Sequence, residues 1–172
     1  MTIMKKHPFI VIDYQSTVKL TPSEKHKLSQ WMYFSGDVIK YLILKKIIPT
    51  KKLVRIQVSL LLCGDKKIRE LNRKFRNKDK VTDVMSFPHH ENLRVLPHFD
   101  REIILGDLAI CVPQARRQSR KFKIHFLDEF IHLFFHGIIH LMGFDHELSK
   151  EEEQLMEAWE EKALKKFAKI KK

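Results

Sequence analysis

The sequence predicts one domain, residues 1–172, in which short β-strands alternate with amphipathic helices around a single strongly apolar helix. Three observations carry this expectation. The chain of 172 residues suits one hydrophobic core. Segments of two-residue alternation and segments of helical periodicity follow one another with no internal repeat and no long linker. Leu127–Met142 is apolar around its whole circumference, as suits a helix buried at the centre of a fold.

Phe9-Ile-Val-Ile-Asp-Tyr14 is a β-branched run and reads as a strand. Thr21-Pro-Ser-Glu24 combines a capping box with proline at the first helical position, so a helix starts there. Leu28, Trp31, Met32, Val38, Ile39 and Leu42 continue it at helical spacing, with Gly36 a point where it would bend or divide. Leu53–Leu62 alternates as a half-buried strand, with Val54, Ile56, Val58 and Leu60 on the apolar face. Ile68, Leu71 and Phe75 mark a short helix, Val84–Phe87 a short strand ended by Pro88, and Ile103–Cys111 another strand. His89–Arg101, with two prolines, reads as a loop over one side of the sheet. Pro113–Lys123 is a basic helix, and the apolar helix that follows ends at Gly143. Ser149-Lys-Glu-Glu152 opens a last helix whose Met156, Trp159, Ala163 and Phe167 face the core.

Composition narrows the function. With 44% hydrophobic and 31% charged residues, the chain has the balance of a globular protein rather than of a disordered or collagen-like one. The most apolar stretch, residues 126–144, carries Asp128, Glu129 and three histidines, which a bilayer would have to desolvate. Cys63 and Cys111 form no C-x-x-C pair and suggest neither a disulfide framework nor a thiolate zinc site, which fits a reducing cytosol. The N-terminus lacks the apolar stretch and cleavage site of a signal peptide, so no secretion is expected. The net charge of +12 favours a polyanionic partner, although a basic surface also serves solubility.

The chemistry concentrates in His136-Gly-Ile-Ile-His140-Leu-Met-Gly143-Phe-Asp-His146. Two histidines four apart on a helix project from one face and reach one ion. Gly143 lets the chain leave the helix in a left-handed turn, which brings His146 back toward that ion. Three neutral imidazoles leave a fourth tetrahedral position open, as in a catalytic zinc site, though imidazole also accepts nickel, copper and iron. His132 lies on the same stripe but one turn too far from the glycine, so a supporting or packing role is expected of it. Asp145 either orients a ligand or caps the turn. The spacing matches the metzincin protease helix, H-E-x-x-H-x-x-G-x-x-H, except that Gly137 stands where the protease has its general base. A glutamate at 137 would reach the reacting centre, so its absence disfavours peptide hydrolysis.

The same histidine segment closely resembles the signature of the YbeY family, metallo-endoribonucleases of bacteria and organelles. Leu71-Asn-Arg-Lys-Phe-Arg76-Asn-Lys-Asp79-Lys-Val-Thr82-Asp83-Val-Met-Ser86-Phe-Pro88 resembles a second stretch of that family, and Leu105-Gly-Asp107-Leu-Ala-Ile-Cys111 a third. Together they cover the chain from about Val54 to the last helix. The resemblance implies an α+β fold, a small mixed β-sheet with helices packed around a central ligand-bearing helix with a zincin-like H-x3-H-x5-H site. It implies one zinc ion on His136, His140 and His146, with Arg76 as the functional arginine. It also implies a single-strand-specific endoribonuclease of the cytoplasm that matures the 3′ end of 16S ribosomal RNA and serves ribosome quality control. Its partners would be single-stranded and ribosomal RNA and the small ribosomal subunit, with neither DNA nor membrane.

A guanidinium at Arg76 suits bidentate binding of a phosphodiester. Asp79, Thr82, Asp83 and Ser86 suit local bonds that hold the loop. Two basic runs, one including Arg73, Lys78 and Lys80 and the other Arg117 and Lys121, would form an electrostatic track for RNA if both flank the metal cleft. The competing functions are a metallopeptidase, disfavoured by Gly137, and a non-catalytic ribosome-binding module, disfavoured by the open fourth position.

Overall fold

The computed structural model describes residues 9–43, 55–90 and 102–170. Strand β1 (Ile10–Ser16) leads to helix α1 (Pro22–Leu42), then β2 (Arg55–Cys63), α2 (Asp65–Arg76), β3 (Val84–Pro88), β4 (Glu102–Cys111), α3 (Val112–Phe122), α4 (Phe126–Leu141) and α5 (Lys150–Ile170). The four strands form one sheet in the order β1-β2-β4-β3, with β1, β2 and β4 parallel and the edge strand β3 antiparallel to β4. This is an α+β arrangement. Of the expected elements, Leu53 and Val54 and nearly all of the His89–Arg101 loop lie outside the described residues.

Local chemistry sets the element ends. Thr21 Oγ1 accepts from Glu24 N at 3.2 Å, and Glu24 Oε2 accepts from Thr21 N at 2.8 Å, so two orphan amides at the start of α1 are satisfied reciprocally. Gly36 neither bends nor divides this helix, which runs unbroken with Gly36 among its buried residues. Its neighbours Met32, Val38 and Ile39 are buried too, so packing on one side outweighs the weak helix propensity of glycine.

The two faces of the sheet are covered unequally. Ile56, Val58, Leu60 and Leu62 of β2 and Ile103, Leu105, Leu108 and Ile110 of β4 turn toward α1, α4 and α5 and share the main core. Cys63, Met85, Ala109 and Cys111 turn the other way and pack on Ile68 and Leu71 of α2. Helix α4 is central, burying Phe130, Ile131, Leu133, Phe134, Phe135, Ile138, Ile139 and Leu141, as its all-round hydrophobicity predicts.

One irregularity makes this division work. The β2–β4 register slips between Gln57 and Val58, so that Ile104 faces Gln57 but Gly106 faces Val58, leaving Leu105 as an extra residue. Without the slip, Leu105 and Leu108 would point to opposite faces, because side chains alternate along a strand. Gly106 supplies the required backbone at φ +137°, and a Cβ there would meet Phe87 O at 2.2 Å. Both the conformation and the space therefore demand glycine. Gly106→Ala is expected to destabilise the protein by about 2 kcal/mol or more, through backbone strain and a clash with the backbone of β3. Urea unfolding of the two proteins, compared at equal m-value, checks it.

Candidate functional site

The apolar helix α4 carries its polar groups on one flank. Its sheet-facing side closes at Gly137, where a Cβ would lie 2.7 Å from Leu108 Cδ2 and 3.4 Å from Ser86 Oγ. His136 and His140 stand beside that contact, each partly exposed.

The end of α4 builds the rest of the site. Gly143, at φ +90°, takes the left-handed conformation. Its N–H bonds to His140 O at 2.9 Å, and Phe144 N bonds to Ile139 O at 3.4 Å, the paired bonds of a Schellman cap. Phe144 is buried and anchors the turn, and its carbonyl oxygen accepts a hydrogen bond from His140 Nδ1 at 2.9 Å. The chain then brings His146 back over the helix end. One ring nitrogen from each of His136, His140 and His146 lies within 4.8 Å of the others, and the ring centroids are 4.7 to 5.4 Å apart. Asp145 caps this turn, its Oδ1 accepting from Glu147 N at 2.9 Å.

The donor set fits a metal ion. A carbonyl can only accept, so His140 carries its proton on Nδ1 and keeps a lone pair on Nε2. His136 Nδ1 donates in the same way to Glu160 Oε1 at 2.8 Å. Burial, followed by the neighbouring His136 and His146, pushes His140 down to about 4, so it is neutral and ready to ligate at physiological pH. Burial alone would raise the Glu160 carboxyl, but hydrogen bonds and charge from His132 and His136 outweigh it and hold Glu160 at about 2.

His132 stands outside the triad, its ring centroid 6.5 Å from that of His136. Its Nε2 lies 3.7 Å from Glu160 Oε2, and that carboxylate raises its pKa. Glu160 belongs to this site although no motif marks it in the sequence. Its signal is faint: an acidic side chain one place after Trp159 and four after Met156, on the margin of the apolar stripe of α5.

The second motif does two things. Asp79 pairs with Arg69 through bonds of 2.8 and 2.9 Å. Asp83 accepts from Val84 N at 2.8 Å, from Thr82 Oγ1 at 3.2 Å and from Gln118 Nε2 at 2.7 Å. Ser86 Oγ donates to Gly137 O at 3.4 Å. These residues hold the loop and edge strand to α2, α3 and α4. Arg76 is exposed in the last turn of α2, on the sheet face away from α4, and among the described residues no ion pair joins it to the triad. Arg73, Lys78, Lys80 and Lys121 are also exposed. Arg117 is instead committed: its Nη1 and Nη2 grip the Asp65 carboxylate at 3.0 and 2.7 Å, and its Nε reaches Gln114 Oε1 at 2.8 Å.

Fold and site together define an α+β protein with a three-histidine cluster suited to a metal ion. Residues 21–168 match the model of the endoribonuclease YbeY family. An endoribonuclease YbeY of Persephonella marina is 41% identical over 112 residues, covering 65% of this chain and 71% of that protein. One of Aquifex aeolicus is 40% identical over 114 residues, covering 66% and 72%. A chloroplastic endoribonuclease YBEY of Arabidopsis thaliana is 43% identical over 110 residues, covering 64% of this chain and 18% of that one. A solution structure of a Thermotoga maritima protein shares the fold with a TM-score of 0.60 at 23% identity, covering 91% of this chain and 89% of its own. The chain belongs to the YbeY family. It is an endoribonuclease, a hydrolase acting on RNA. Among the described residues, no helix is long and apolar enough to cross a membrane.

A Cβ at position 137 would already press on Leu108 and Ser86, so a glutamate there would have to displace side chains packed between α4 and the sheet. Gly137→Glu is expected to lower the thermal midpoint by several degrees and to yield no peptidase, as melting and peptide-cleavage assays would show.

His140→Ala is expected to lose bound metal, because two imidazoles hold the ion poorly, while His132→Ala keeps most of it. Metal analysis of the dialysed proteins checks both. The low value of His140 also gives metal-free protein a pH signature. Its folded value of about 4 lies below the ordinary value of 6.5, so its contribution to stability is full above pH 6.5 and is lost as pH falls toward 4. Urea unfolding at pH 7 and pH 4.5 should show a larger loss for the parent than for His140→Ala.

Proposed function

We propose that this endoribonuclease holds one zinc ion per chain on His136, His140 and His146. We further propose that it cleaves single-stranded ribosomal RNA, maturing the 3′ end of 16S rRNA on the small ribosomal subunit in the cytoplasm. The observation that carries the metal part is the triad itself: three ring nitrogens within 4.8 Å, with the protons of His136 and His140 drawn away to Glu160 and Phe144. Zinc bound there would supply Lewis-acid polarisation of a phosphoryl oxygen.

The remaining work falls to the chain. Arg76 is assigned to the phosphodiester, where its planar guanidinium binds two oxygens at once and stabilises the charge that develops on them. Its place supports this role. Phe75, the preceding residue, packs edge-on to Phe87 of β3 at 5.0 Å, and the next residue along β3, Ser86, touches Gly137 beside His136. A single edge strand thus separates the end of α2 from the histidine helix. Arg73, Lys78, Lys80 and Lys121 add exposed positive charge for the RNA backbone. Arg117 serves this track less well, since Asp65 already occupies its guanidinium.

Cleavage of single-stranded RNA before and after chelation, read beside the protein's zinc content, tests the proposal. Activity that survives complete removal of metal would overturn it. Arg76→Ala is expected to keep fold and zinc but to lose at least about 100-fold in cleavage, as for removal of a group aimed at transition-state charge. Lys121→Ala is expected to weaken RNA binding slightly and to reduce the salt slope by about 0.7, the release of one counterion from a single strand. Cleavage assays and binding isotherms at several salt concentrations measure the two effects.

A further inference from the structure

His136 and His140 are oriented by different means. His140 gives its Nδ1 proton to the carbonyl of Phe144, which the turn at Gly143 holds in place. His136 gives its proton to a side chain from another helix, Glu160 of α5, 24 residues further along the chain. Met156, Trp159 and Ala163 bury the adjoining positions of α5, so the backbone that carries Glu160 is anchored in the core. The Glu160 side chain is itself only 17% exposed, which leaves little water to compete for its oxygens.

Its two oxygens face different histidines of α4. Oε1 takes the His136 proton at 2.8 Å, and Oε2 lies 3.7 Å from His132 Nε2, one helical turn back on α4. His132 in turn has its Nδ1 3.9 Å from the buried Glu129. The carboxylate therefore lies between two imidazoles of one helix, hydrogen-bonded to His136 and within ion-pair range of His132.

We propose that Glu160 is the positioning residue of the triad. It fixes His136 with Nδ1 protonated and Nε2 turned toward His140 and His146, and His132 holds the carboxylate in that pose from the other side. This assignment rests on the metal role of the triad. A carboxylate on the far nitrogen of a ligating imidazole sets its tautomer and ring rotation and makes the ligating nitrogen more basic, and losing such a partner typically costs about 10–100-fold in metal affinity. A residue that merely tied α5 to α4 would instead affect the stability of the metal-free protein and leave its affinity for metal alone.

The test uses the full chain as parent, Glu160→Ala and Glu160→Gln. Zinc affinity is measured by competition with a chromogenic chelator, the visible spectrum is recorded with cobalt(II), and the metal-free proteins are melted. The parent is expected to bind one zinc, Glu160→Ala to bind it about 10–100-fold more weakly with an altered cobalt spectrum, and Glu160→Gln to fall between them. The amide keeps an oxygen that accepts from Nδ1 but lacks the charge. The metal-free melting points should agree within a few degrees. If the parent binds one zinc and Glu160→Ala matches it within twofold with an unchanged spectrum, Glu160 does not position His136. A loss of affinity that only follows a loss of metal-free stability, with Glu160→Gln no better than Glu160→Ala, overturns the assignment equally. A parent that binds no zinc shows that the triad is not a metal site, and the role of Glu160 falls with it.

Discussion

Helix α4 lies so near the sheet that one added methyl at position 137 would sit 2.7 Å from Leu108 Cδ2. That approach depends on a second glycine in another part of the chain. Leu108 points at α4 because the bulge around Leu105 and Gly106 shifts the alternation of β4 by one residue. Ile103 and Leu105 before the slip and Leu108 and Ile110 after it then line one face. The two glycines act together, one turning the strand's side chains toward the helix and the other letting the helix come down on them. The histidines owe their position to this contact, since residues 136 and 140 flank position 137 on the helix and are set beside the sheet once it is fixed.

Within that frame, the site is made almost entirely of devices that also serve folding. The Schellman cap at Gly143 satisfies the last carbonyls of α4, as many helix ends do. Here the same turn aims the Phe144 carbonyl at His140 Nδ1 and returns the chain so that His146 joins the other two. Burial disfavours the imidazolium of His140, which removes the proton that would compete with a metal ion. A helix terminus, a buried phenylalanine and a desolvated ring thus keep the His140 imidazole neutral without any dedicated charged partner. His136 instead bonds to a carboxylate from α5, so one histidine of the cluster is held by local sequence and the other by tertiary packing.

This difference explains what the sequence disclosed. The triad was legible because its three members lie within 11 residues and their separation is governed by helix geometry and one glycine. The capping box at Thr21, the alternation of β2 and the central place of α4 were legible for the same reason, being local rules read over a few residues. Glu160, 24 residues from His136, was not, since nothing in the order of residues says which face of α5 meets which turn of α4. The bulge at Gly106 was seen only as part of a motif, because its purpose appears in the pairing of two strands far apart in the chain. Gly137 stands out in the sequence for the glutamate it replaces, whereas its contact with Leu108 depends on how close two elements come, a quantity that periodicity does not contain.

The net charge of +12 is likewise less uniform in space than it looks along the chain. Arg69, Arg116 and Arg117 each direct a guanidinium at a carboxylate of the same molecule, Asp79, Glu24 and Asp65 respectively. The last two cross between elements, joining α3 to the start of α1 and to the start of α2. An arginine fork suits such work because it meets a carboxylate with two parallel bonds, and a lysine cannot replace it there. Among the described residues, the ion pairs do not extend to Arg73, Arg76, Lys78, Lys80 or Lys121. The basic runs therefore contain two populations, arginines that brace the fold and cations left facing solvent. Only the second is left open to a phosphate, as the proposed RNA track would need. Arg76 combines the fork geometry of the first population with the uncommitted state of the second, and the role proposed for it rests on that combination.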